Sequence, residues 1–112
     1  MKISERVVNG VVVLELSGKI IGGPDATLLN DKLHELIEKG QTKVIADLQN
    51  VNWMNSSGLG ILIGALTTMR NSGGDLKLAN ITDRIQSLLM ITKLLTVFES
   101  FDTIEKAVAS FK

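Results

Sequence analysis

Asn55, Ser56 and Ser57, followed by Gly58-Leu59-Gly60, are the residues of this chain whose types and spacing are best suited to chemistry. Two adjacent hydroxyls and an amide oxygen stand between an apolar run that ends at Leu48 and an apolar pattern of helical period that begins at Leu59. This is the expected junction of a strand with a helix N-terminus, where first-turn N–H groups lack intrahelical acceptors and the helix dipole is positive. A phosphate is stabilised at such a place, and so is a side-chain oxygen that caps the turn. Helix capping alone accounts for these residue types. Stabilising an anion at the free N–H groups is the further chemistry that such a turn supports.

The rest of the chain offers these serines no catalytic partners. There is no G-x-S-x-G elbow, no phosphate-binding loop of the G-x-x-x-x-G-K type and no H-x-x-x-H pair. His34 is the one histidine, and it falls on the polar face of an amphipathic segment beside Asn30, Asp31 and Glu38. A serine nucleophile would therefore lack a base, and the hydroxyls read as groups acted upon. The absence of cysteine excludes disulfides and thiolate metal sites. Gly58, Gly60 and Gly64 miss the dinucleotide fingerprint, because their last interval is one residue too long. No enzymatic activity, cofactor or metal site is expected.

With 112 residues, 45% hydrophobic and 21% charged, the chain fits a single domain over 1–112. Its formal net charge of zero gives no basic excess for a nucleic-acid partner. The apolar run from Val11 to Leu16 is too short for a signal peptide and is interrupted by Glu15, and no stretch approaches the length of a membrane span. A cytoplasmic setting without direct membrane contact follows, with the chain a monomer or a weak dimer.

The elements that must position the serines can be read in order. Lys2 to Val8 and Val11 to Ser17 flank Asn9-Gly10 and form a hairpin, with Val12, Leu14 and Leu16 on its core face and Gly18 at its end. A loop with Gly22, Gly23 and Pro24 leads to a helix from Ala26 to Lys39, whose inner stripe is Ala26, Leu29, Leu33, Leu36 and Ile37. Gly40 stops it, and Glu35 and Lys39 are spaced for an ion pair. Lys43 to Leu48 reads as a central parallel strand covered on both faces, with Asp47 a hydrogen-bonded group near its carboxyl end. The second helix is expected from Ser57 to Asn71, with Gly60 and Gly64 allowing close backbone packing against the sheet. A strand at Leu76 to Ala79, a helix within Ile81 to Leu95, an extended segment at Val97-Phe98 and a last helix capped by Asp102 with Glu105 complete the chain.

Val-Ile-Ala-Asp-Leu at 44–48, followed by Trp-Met-Asn-Ser-Ser-Gly-Leu-Gly at 53–60, closely resembles the anti-sigma factor antagonist branch of the STAS (sulfate transporter and anti-sigma factor antagonist) domains. The likeness extends over nearly the whole chain, with the Ser-Ser-Gly-Leu-Gly segment its specific part. Asn55 stands where the family usually has Asp, which keeps the shape and the capping oxygen and removes the charge.

The resemblance implies an α/β fold with a small mixed sheet of four to five strands and about four helices. It also implies a partner-switching cycle. The unmodified protein binds an anti-sigma factor that is a serine kinase, Ser56 is phosphorylated and the complex separates, and a metal-dependent serine phosphatase restores the hydroxyl. ATP and metal belong to the partners. Partner contact is expected at Asn55, Ser56, Ser57 and Gly58, with Gly22 and Gly23 in the neighbouring loop; Trp53, Met54 and the exposed edge of the helix from Leu59 read either as apolar contact or as core. The alternative is a STAS-type binding subunit of a transporter ATPase complex or signalling scaffold that is never phosphorylated.

Overall fold

The computed structural model describes residues 1–111 and contains five strands and four helices among them. In chain order they are β1 (Lys2–Val8), β2 (Val11–Ile20), α1 (Pro24–Glu38), β3 (Lys43–Met54), α2 (Ser56–Asn71), β4 (Asp75–Ala79), α3 (Asp83–Ile91), β5 (Ser100–Phe101) and α4 (Ile104–Ala109). Spatial order equals sequence order, β1-β2-β3-β4-β5, with β1 antiparallel to β2 and the remaining neighbours parallel. This is the small mixed α/β sheet expected from the sequence.

Asn9 and Gly10 both take positive φ, 52° and 80°, the left-handed pair that lets a two-residue turn follow the twist of its strands. In β2 the alternation places Val12, Leu14, Leu16 and Ile20 in the larger core, with Leu29, Leu33 and Leu36 of α1 and Leu59, Leu62, Leu66 and Met69 of α2. Val11 and Val13 point the other way. They meet Ile45, Ala79 and the α4 residues Ala107 and Val108 in a second, smaller core. The strand that reads as half core and half mixed is thus buried on both sides, because the short last helix covers its outer face.

Several boundaries differ from the sequence reading. Both β2 and β3 continue past Ser17 and Leu48, pairing Gly18 with Val51 and Ile20 with Met54. The register shifts between Glu15 and Ser17 and again between Gly18 and Lys19, and Gly18 carries the chain through at a φ of 86°. These irregularities break the period-2 pattern without ending the pairing. The third helix stops at Ile91: Lys93 takes φ 62°, and the N–H groups of Lys93 and Leu94 donate to Met90 O at 3.1 Å and Leu89 O at 2.8 Å. That is a Schellman end formed without glycine. The final strand is Ser100–Phe101, since Phe98 is withdrawn into the larger core. Thr103, not Asp102, caps α4, accepting from Lys106 N at 3.2 Å, while the exposed Asp102 carboxylate makes only a long ion pair with Lys106 Nζ, at 3.8 Å.

Candidate functional site

Asn55 has extended backbone angles, φ −109° and ψ −174°, and its Oδ1 accepts from Gly58 N at 2.9 Å. Its carbonyl accepts from Leu59 N at 2.9 Å, so both oxygens of Asn55 organise the first turn of α2. Ser56 is the first residue of that helix. The side chains of Ser56 and Ser57 are exposed, whereas Asn55 is half-buried and Gly58 buried. No acidic residue lies in this first turn, which leaves its positive end uncompensated by the helix's own side chains.

Gly58 explains why the turn sits at this height. A Cβ built on it would stand 1.9 Å from Ile20 O and 3.0 Å from Met54 Cγ, so the end of β2 and the start of α2 meet backbone to backbone. The loop between β2 and α1 closes from the side. Gly22, at φ 114°, lies where a Cβ would be 3.4 Å from Ser57 Cβ, and Gly23 forms the cap position of α1 at φ 61°. The loop thus borders Ser57, one residue beyond the expected neighbour Ser56. Asp25 fastens it, accepting from Ile21 N and from the Met1 ammonium, each at 3.3 Å.

Asp47 is buried at 4% exposure and accepts from Gln49 N at 3.1 Å and Asn80 Nδ2 at 3.2 Å. It ties β3 to the segment after β4, as the hydrogen-bonded reading of the sequence has it. His34 is exposed on α1. Of the two residues named for apolar contact, Met54 is in the larger core and Trp53 is 44% exposed.

Gly60 and Gly64 do not pack against the sheet. A Cβ on either would meet nothing within 4 Å. They face outward along a groove between α1 and α2 that begins at Ser57 and is bordered by Ala26, Asn30, Ile61 and Thr68. The close approach expected of them belongs to Gly58, because the half-turn between these positions puts them on the opposite side of the helix.

One feature of this surface has no signal in the sequence. The Arg84 guanidinium, from the first turn of α3, lies 4.7 Å from the centre of the Trp53 ring. Arg84 and Trp53 are far apart in the chain, and only the continuation of β3 to Met54 brings the indole under the start of α3. Among the described residues, no group of three or more His, Cys, Asp or Glu side chains is placed to hold a metal, and every buried side-chain nitrogen or oxygen has a partner.

A family model described as the STAS domain matches residues 2–107. The chain belongs to the STAS domain family. It is 36% identical over 74 residues to the anti-sigma-B factor antagonist of Bacillus subtilis, a match covering 66% of this chain and 67% of that protein. It is also 24% identical to the anti-sigma F factor antagonist of Paenibacillus polymyxa, over 83% of this chain and 80% of the other. A crystal structure from Thermotoga maritima superposes with a TM-score of 0.85 at 25% identity, covering 96% of this chain and 92% of that one. The STAS fold and the kinship with anti-sigma factor antagonists are thereby shown. No helix among the described residues is long and apolar enough to cross a membrane.

Proposed function

We propose that this STAS domain is an anti-sigma factor antagonist that binds a kinase-type anti-sigma factor while unmodified and is released when that kinase phosphorylates Ser56. The observation that carries the reading is the exposed Ser56 side chain at the start of α2, beside a capping amide and ahead of a first turn free of acidic residues. In the transfer, Ser56 Oγ would form a bond to the γ-phosphorus of ATP as the bond to the ADP oxygen breaks, with the hydroxyl proton passing to the kinase or to water. ATP is held by the kinase, and the metal of the reverse reaction by the phosphatase.

A phosphoserine adds about 1.5 to 2 negative charges and three strong acceptor oxygens. The start of α2 tolerates that charge, because the dipole and first-turn N–H groups favour it. A partner packed over Ser56 does not. Steric bulk and desolvation of the phosphate at the interface would need to cost about 3 kcal/mol to weaken binding more than a hundredfold. The switch therefore lies between the two proteins, with the fold of the antagonist nearly unchanged.

Ser56→Asp tests this division. The variant is expected to lose anti-sigma factor binding measured by calorimetry and to keep its melting temperature within about 2 °C, as for other exposed substitutions. Retained binding would overturn the switch, and a collapsed melting temperature would assign Ser56 to the fold instead.

A further inference from the structure

Trp53 and Arg84 occupy a ridge on the same end of the molecule as Ser56, with a shallow hollow on either side. One hollow is bordered by Lys19, Ile21, Asn52 and Trp53, and the other by Gln49, Asn52, Thr82 and Arg84. The ridge exposes two large apolar side chains, Trp53 at 44% and Ile21 at 47%. Among the described residues, neither Lys19 nor Arg84 enters an ion pair, and Arg84 donates no hydrogen bond. The contact with Trp53 holds the guanidinium over the ring, with Cζ 4.7 Å from its centre, and leaves its N–H donors unused among the described residues.

None of the carboxylates around this end is paired with Lys19 or Arg84. Glu15 accepts from Asn50 Nδ2 at 2.8 Å, Asp47 is buried in its own hydrogen bonds, and Asp25 is bound to Ile21 N and the Met1 ammonium. Asp83 is exposed, but it lies in the first turn of α3, where the helix's own N–H groups offset its charge. Two cations outside any described ion pair, Lys19 and Arg84, thus flank an exposed indole beside the candidate switch. That combination fits one kind of occupant, a protein surface with a carboxylate set among apolar atoms.

Resting on the antagonist reading above, we infer that Trp53 and Arg84 together anchor the anti-sigma factor, Arg84 taking a partner carboxylate on its free edge while Trp53 and Ile21 cover apolar partner atoms. A guanidinium held over an indole with its donors unused is available for a two-point contact with a carboxylate. Lysine in its place keeps the charge and loses both the stack and the fork. Docking here brings the partner across the start of α2, so a phosphate on Ser56 is met by an already seated protein.

The test measures binding of the unphosphorylated protein to the kinase-type anti-sigma factor of the same genome, by calorimetry at low and at high salt. Trp53→Leu and Arg84→Gln should each weaken binding by about thirty-fold, the range for truncating one partner of a desolvated charge pair or an aromatic anchor. Arg84→Glu should weaken it further, Arg84→Lys should rescue only part, and the salt dependence should flatten in Arg84→Gln. Arg6→Glu, on the exposed edge of β1, should bind as the parent does. All these side chains are exposed, and a thermal melt of each variant confirms the fold. Parent-like binding by the Trp53 and Arg84 variants would overturn the anchor and leave the antagonist reading standing. No binding by the parent would overturn both. An effect of Arg84→Gln confined to the phosphorylated protein would assign the guanidinium to the phosphate of Ser56 and equally overturn the anchor.

Discussion

Asn55 and Gly58 hold Ser56 from two directions, one by a hydrogen bond and the other by having no side chain. Replacing Asn55 with alanine removes the acceptor of Gly58 N–H and should cost about 1 kcal/mol, read as a melting temperature lower by about 4 °C. Asn55→Asp keeps the acceptor and adds a negative charge at the positive end of α2, so its melting temperature should rise slightly above that of the parent. Gly58→Ala forces a methyl into Ile20 O and should cost more than about 3 kcal/mol, because the obstacle is backbone of the sheet. The capping role is legible in the sequence, since an amide or hydroxyl before an apolar helical pattern has few other uses. The role of Gly58 is not, since it depends on β2 continuing to Ile20 through two irregularities that the alternation of residues conceals.

At the scale of the elements, α2 and α4 separate residues required by the fold from residues that are not. Gly60 and Gly64 each stand in open space on a helix, so alanine at either should raise stability by about 0.5 to 1 kcal/mol in chemical denaturation. A fall would show that the groove wall between α1 and α2 needs them. In α4, Thr103→Ala should be destabilising by about 1 kcal/mol and Asp102→Ala nearly silent, reversing the order that the sequence suggests. The spacing of Asp102 and Glu105 suggests the acid as cap, but the helix begins one residue later, at Ile104, which puts the Thr103 hydroxyl at the cap position.

The outer face of α1 makes a pH-dependent tie to the sheet. Lys32 donates to Glu5 at 3.0 Å, which together with Glu35 holds its ammonium above the usual lysine range despite partial burial. A raised folded value means that the contribution is complete below the unfolded value of lysine and fades as pH climbs through the higher folded one. Lys32→Gln should therefore lower the melting temperature slightly near neutrality, by the less than about 1 kcal/mol typical of such pairs, with the difference vanishing in strongly alkaline buffer. The neighbouring Glu35–Lys39 pair, at 3.1 Å, was readable from its spacing alone.

For the molecule as a whole, the STAS arrangement places the candidate switch where the carboxyl ends of β2 and β3 meet the start of α2. The order of strands and helices, the central parallel strand and the segment carrying the serines follow from periodicity and from the Ser-Ser-Gly-Leu-Gly motif. The Trp53–Arg84 stack does not, because cation and ring come from different layers and no local pattern links them. The central claim is that Ser56 is the residue charged, within a fold that scarcely responds. Incubating the protein with the kinase-type anti-sigma factor proposed as its partner and ATP, followed by peptide mass spectrometry, tests it most directly. The account predicts phosphate on Ser56 in the parent and none in Ser56→Ala; phosphate on Ser57, or none in the parent, would contradict it.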